Sequence, residues 1–144
     1  MIISELYAEH IGEIHKVEAS AFESPWSEKT IEALINNECA KCFGCFVEGV
    51  LVGYIALEWV LDEGSLTNLA VMPSYRRQGI AEALTLKLLD FAKEKALQFV
   101  TLEVRVTNTP ASNLYRKTGF QDVGVRKNYY SNPREDALLM TKYL

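Results

Sequence analysis

Long apolar runs are missing from this chain of 144 residues. No stretch approaches the roughly 18 consecutive apolar residues that a membrane-spanning helix needs. The opening "MIISELYAEHIGEIHK" carries early acids where a secretory leader has a basic start followed by an apolar run. A soluble, cytoplasmic protein is the expectation. An excess of basic charge is also missing: 15 Lys and Arg face 19 Asp and Glu, for a formal net charge of -4. No global positive field is available to hold a polyanion, which argues against direct nucleic-acid binding. Two nucleotide signatures are absent, since neither G-x-x-x-x-G-K-S/T nor G-x-G-x-x-G occurs. With no repeats, low-complexity segments or linkers, and with 49% hydrophobic residues, the chain reads as one domain spanning 1–144.

Cysteine and histidine are scarce. Cys39, Cys42 and Cys45 fall in "ECAKCFGCFVEGV" at a spacing that looks like half a metal site. From about Ala40, however, this segment reads as a strand, in which residues three apart point to opposite faces. Cys42 and Cys45 then cannot share an ion, and the only histidines, His10 and His15, lie in the first helix. Buried, reduced cysteines and no metal are expected.

The remaining pattern is rich in alternation. Met1 to Leu6 reads as a strand and Ala8 to Ala21 as a helix, with Ile11, Ile14, Val17, Glu18 and Ala21 on a mostly apolar face. Pro25 breaks the chain, and Ser27 is the expected N-cap of a short helix to about Asn37. Strands "CFGCFV" and "VLVGYIALEWV" join tightly at Gly49, and "SLTNLAVM" follows. A helix from Gly79 to about Ala96, the strand "FVTLEVRV", the helix "PASNLYRKTG" and strands near 120–130 and 136–144 complete the order. The middle β-α-β unit forces parallel pairing and the hairpins antiparallel pairing. The fold class is α/β, a mixed sheet of about seven strands flanked by about four helices.

One helix entrance stands out. In "AVMPSYRRQGIAEALTLKLLDFA" the helix begins at Gly79, just after Arg76 and Arg77. Unpaired first-turn N–H groups, the helix dipole and a glycine that lets an anion approach the backbone suit a phosphate or pyrophosphate. The alternative is an ordinary strand-to-helix turn with solvated arginines. Two further residues invite a double reading. Alternation in "FVTLEVRV" puts Val100, Leu102, Val104 and Val106 on one face and Thr101, Glu103 and Arg105 on the other. A carboxylate on an interior strand is costly unless it is functional or paired, for instance with Arg105. Tyr115 shares the inward helical spacing of Ala111, Leu114 and Thr118, as a structural tyrosine with a satisfied hydroxyl also would.

"RRQGIA" after "NLAVMPSY" resembles the acyl-CoA signature of the GNAT superfamily of N-acetyltransferases, R/Q-x-x-G-x-G/A, met by Arg76, Gly79 and Ala81. Ala81 stands where a second glycine is common. The element order is similar to the GNAT fold over nearly the whole chain. The blocks "SPWS", "LEVRVTN", "ASNLYRKTGF", "RKNYY" and "EDALLM" look like the RimI-type enzymes, which acetylate the N-terminal alanine of small-subunit ribosomal protein eighteen.

The resemblance implies acetyl-CoA as co-substrate and no metal. It implies that backbone at Leu69, Ala70 and Val71 meets the acetyl and pantetheine part, and that Arg76, Arg77, Gln78, Gly79, Ile80, Ala81 and Glu82 surround the pyrophosphate, with Asn108 as a further contact. It also implies Glu103 as general base and Tyr115 as general acid. An α-amine of pKa about 7.7–8.0 must lose a proton before it attacks a thioester, and a thiolate leaves more readily when protonated. On the acceptor side, Phe22, Trp26, Tyr129 and Tyr130 are implied to clasp a protein N-terminus, with Glu23, Glu135 or Asp136 drawing a basic ribosomal tail. Two other readings remain: a relative that acetylates another N-terminus, a lysine or a small amine, and a non-catalytic acyl-CoA sensor.

Overall fold

The computed structural model describes residues 1–144 and contains one seven-stranded mixed sheet. Its strands are β1 (Ile2–Glu5), β2 (Ala40–Val47), β3 (Val50–Val60), β4 (Glu63–Val71), β5 (Phe99–Arg105), β6 (Gln121–Ser131) and β7 (Arg134–Tyr143). The helices are α1 (Ile11–Ala21), α2 (Glu28–Asn36), α3 (Ile80–Glu94) and α4 (Thr109–Lys117), with short 3-10 turns at Ala8–His10 and Pro73–Tyr75. The expected element order is present. Ser27 caps α2 by accepting the Thr30 N–H at 3.1 Å. Gly79 is the N-cap of α3, with φ +80°, a left-handed conformation that glycine adopts without strain.

Strand order is β1-β2-β3-β4-β5-β7-β6, so the last strand inserts between β5 and β6. Every pairing is antiparallel except β4 with β5. That parallel pairing stops early. It joins Glu63, Gly64 and Ser65 to Phe99, Val100 and Thr101, and the two strands then part while β5 continues along β7.

The two faces carry separate cores. α3 covers one face, and Leu84, Leu88 and Ala92 pack there with Ile55, Leu57, Val100, Leu102 and Met140. Each such leucine, fully withdrawn from water, contributes about 1.5–3 kcal/mol. On the other face α1 packs on β3 and β4, and α2 on β2. Ile14, Val17, Ile31, Tyr54 and Ala56 form that core. Cys42 belongs to this second core and Cys45 to the first, on opposite faces as their spacing requires. Burial pushes the Cys42 thiol up to about 12, with Glu58 and Glu5 adding to it. Cys39 departs from the expectation of burial: it is exposed, because it precedes β2 in a turn. No helix is long and apolar enough to cross a membrane.

Candidate active site

The loop between β4 and α3 builds an unusual run of donors. Arg77 (φ +61°) and Gly79 (φ +80°) both adopt left-handed backbone, and Gly79 has no side chain to cap the helix. The first helical bond runs from the Ala83 N–H to the Gly79 carbonyl, at 3.0 Å. The N–H groups of Arg77 through Glu82 therefore have no acceptor within the protein. A chain that alternates hand in this way turns successive N–H groups into a concavity suited to an anion, and the dipole of α3 adds to it. A Cβ at Gly79 would meet nothing within 4 Å, so the space above it is open. The Arg76 Nε donates to the Val71 carbonyl at 3.3 Å and ties this cradle to the end of β4.

Where β4 leaves β5, it exposes an edge. The Met72 N–H donates to Val52 at 2.8 Å, which sets the alternation of the β3–β4 ladder. Ala70 is then turned toward β3, while Leu69 and Val71 turn their groups the other way. There the Leu69 N–H is taken by the Asn68 Oδ1 and the Val71 carbonyl by the Arg76 Nε, leaving the Leu69 carbonyl and the Val71 N–H free. Of the three backbone positions expected to meet a ligand here, Ala70 is the one whose groups point elsewhere.

Glu103 lies on the sheet face opposite the buried Leu102 and Val104, and it is exposed. It forms no ion pair or hydrogen bond within the protein. The expectation that this carboxylate is costly to bury fails, because α1 and α2 sit over β2, β3 and β4 and leave β5 open on that side. The alternative pairing with Arg105 fails too. Arg105 instead donates to Glu135 at 3.1 Å and to the carbonyls of Pro133 and Asn132 at 2.9 and 3.3 Å. Val106, expected to face inward with Val104, is exposed because β5 ends at Arg105.

Tyr115 projects from α4 into the α3-side core, 7% exposed, with its ring edge-on to Phe120 at 5.6 Å. Its hydroxyl has no partner within the protein, yet it is not a sealed orphan. Burial first, then Tyr130, pushes the phenol up to about 12, so it remains a proton donor at neutral pH. Tyr130 is itself raised by burial, then by Tyr129 and Glu103. Asn108 caps α4 by accepting the Ala111 N–H at 3.3 Å, which leaves its side-chain N–H groups free.

A depression of about 300 Å³ is lined by Glu18, Phe22, Glu23, Trp26, Asn68, Arg105 and Asn132 among others; Tyr129 and Tyr130 are not among its lining residues. It unites the α1–α2 loop with the β6–β7 turn. Phe22 is 40% exposed and Trp26 half-buried. Tyr129 and Tyr130 meet edge-on at 5.0 Å, with Arg105 stacked 4.3 Å from the centre of the Tyr130 ring. Of the three acids expected to draw a basic tail, Glu135 is engaged by Thr107 and Arg105, and Asp136 accepts the Asn128 N–H at 2.8 Å. The bonds from Thr107, then Arg105, hold the Glu135 carboxyl below its usual range. Only Glu23 keeps its oxygens free. Asn68 and Arg105 carry no local signal that marks them as lining residues, whereas Asn132 lies in the 126–136 segment expected around an entering peptide. Glu18 did leave a signal, as an acid on the apolar face of the first helix.

The model of the acetyltransferase (GNAT) family matches residues 11–120. A Haemophilus influenzae protein named ribosomal protein bS18-alanine N-acetyltransferase is 36% identical over 148 residues, covering 99% of each chain. An Escherichia coli K12 protein of the same name is 36% identical over 140 residues, 96% of this chain and 94% of its own. The crystal structure of the ribosomal-protein-S18-alanine N-acetyltransferase from Escherichia coli superposes with a TM-score of 0.92 at 35% identity, over 99% of this chain and 92% of that one.

Proposed function

Because the chain belongs to the GNAT family of acetyltransferases, we propose that it transfers the acetyl group of acetyl-CoA to the α-amine of the N-terminal alanine of ribosomal protein bS18, in the cytoplasm. The observation that carries this reading is the parting of β4 and β5 beside a helix entrance with free donors. The choice of acceptor is supported by the full-length likeness to enzymes that carry that name.

Acetyl-CoA, when bound, supplies an activated thioester carbonyl. The residues present fit it: the N–H groups of Arg77 to Glu82 suit a pyrophosphate, and the free Leu69 carbonyl suits an amide N–H of a pantetheine arm. Arg76 and Arg77 add positive charge there, and the free amide of Asn108 offers a further donor. The Val71 N–H is available to the acyl oxygen.

Glu103, free of any internal partner, takes the proton from the α-amine, directly or through one water. Tyr115, protonated across the physiological range, gives its proton to the departing sulfur. Phe22 and Trp26 line the acceptor cleft, Tyr130 packs against its lining residue Arg105 with Tyr129 edge-on behind, and Glu23 attracts a basic peptide to it.

Mass spectrometry tests the acceptor. A bS18 N-terminal peptide beginning with alanine gains one acetyl group on its α-amine, and the same peptide with that amine blocked gains none, even if it contains lysine. Acetyl groups mapped chiefly to lysine side chains would overturn the assignment.

A further inference from the structure

The mechanism leaves one buried charge unused. Glu18 is 1% exposed, on the inward face of α1. No Lys or Arg pairs with it. Three donors converge on its carboxylate instead. The Trp26 N–H donates to Oε1 at 2.9 Å, and the Tyr54 hydroxyl donates to Oε2 at 2.7 Å. The Asn68 side-chain amide nitrogen also donates to Oε2, and to the Tyr54 oxygen at 2.8 Å. Those donors come from the α1–α2 loop, β3 and β4. A buried ion without a counter-ion is costly, and an apolar residue would fill this place more cheaply. What a carboxylate alone can do is gather several donors from separate elements at one point.

The network runs on into the cleft. Because the Asn68 amide nitrogen is held by Glu18 and Tyr54, the Asn68 Oδ1 faces the other way and accepts the Leu69 N–H at 3.1 Å. Leu69 belongs to the β4 edge that opens beside β5, and Trp26 belongs to the loop that lines the acceptor depression. One carboxylate is thereby connected to both sides of the cleft.

We propose that Glu18 is a positioning residue, which fixes the acceptor loop at Trp26 against the β4 edge at Leu69 by setting the orientation of the Asn68 amide. The proposal rests on the reading of the cleft as the meeting place of amine and thioester. Small misplacements of reacting partners cost rate even when each still binds.

Glu18→Gln tests it with little change of shape. The oxygen of the substituted amide keeps the Trp26 N–H, while its N–H groups face Tyr54 and Asn68. The Tyr54 hydroxyl can rotate to accept, but Asn68 must flip and withdraw its oxygen from Leu69. Adding Asn68→Asp to that variant restores an acceptor on both sides, with the charge moved from position 18 to position 68. The expected result is a fall of about tenfold or more in kcat per CoA-binding site for Glu18→Gln, with CoA Kd changed less than about threefold, and recovery to within about threefold in the double variant. The Leu69 amide resonance shifts in the single variant and returns in the double. Tyr54→Phe, which removes one donor and keeps the ring, produces a smaller loss of the same kind and serves if Glu18→Gln does not fold.

Parent-like kcat in Glu18→Gln overturns the proposal, as does a loss that Asn68→Asp fails to repair. An unshifted Leu69 amide overturns it whatever amine is used. Failure of the parent protein to acetylate the alanine peptide counts instead against the proposed acceptor, because the Leu69 resonance still reads the network.

Discussion

Glu103 and Tyr115 reach the parting of the sheet from opposite faces. Glu103 stands on the face where α1 and α2 cover β2, β3 and β4 but leave β5 open, and Tyr115 comes from α4 on the side packed by α3. Tyr130 adds to the upward push on the Tyr115 phenol, and Glu103 to that on Tyr130. This arrangement separates an accessible carboxylate from a shielded phenol, and on the proposed mechanism these serve two proton transfers at different moments.

The cradle ahead of α3 depends on backbone, so Gly79 carries more of it than the arginine side chains do. Gly79→Val forces a β-branched residue into a left-handed conformation and fills the open space over the donors. Isothermal titration is expected to show loss of CoA binding, whereas Arg77→Ala weakens it by less than about tenfold, as suits one exposed charge. Unchanged affinity in a folded Gly79→Val variant contradicts the cradle.

Arg105 anchors the β6–β7 turn through Glu135 and the carbonyls of Asn132 and Pro133, and its guanidinium stacks on Tyr130. Lysine keeps the charge but lacks the planar fork. Arg105→Lys is therefore expected to raise the peptide KM by about tenfold, equivalent to about 1.4 kcal/mol, with CoA Kd unchanged. Steady-state kinetics beside CoA titration checks it; an equal change in both constants speaks for general loosening of the fold.

Much of this was legible in the chain before the structure. The break at Gly79, the Ser27 cap and the alternation around Glu103 are local patterns, and local patterns survive folding. What surrounds a face is not local. Glu103 read as an acid forced into an interior because coverage by α1 and α2, which stops short of β5, has no signature in "FVTLEVRV". The insertion of β7 beside β5 was equally silent, since either neighbour satisfies an alternating strand. Glu135 looked free until Arg105 and Thr107, far away in sequence, closed on it.

Alkaline stability follows from the buried acids. The Cys42 thiol is raised from 9.0 to about 12 and the Tyr115 phenol from 10.0 to about 12, mainly by burial. A raised folded pKa means that the folded state holds the proton more tightly. The stabilising contribution is then complete below the unfolded value and is lost as pH rises from it toward the folded value. Thermal midpoints should hold steady to about pH 9 and fall from there toward pH 12. Cys42→Ala is expected to lower the midpoint throughout but to flatten its decline between pH 9 and pH 10; an unaltered slope contradicts the assignment.

The central claim, that Glu103 removes a proton and Tyr115 supplies one, is tested most directly by paired pH–rate profiles. Glu103→Gln keeps the shape and removes the basicity. A loss on the order of 10²–10⁴ in kcat/KM is expected at neutral pH, partly recovered at higher pH as more of the amine arrives deprotonated. Tyr115→Phe is expected to lose rate at every pH, with no such recovery and with CoA Kd nearly unchanged. The opposite result, near-full activity of Glu103→Gln at pH 7 with loss of CoA binding in Tyr115→Phe, would contradict the account and make Tyr115 a wall of the donor site.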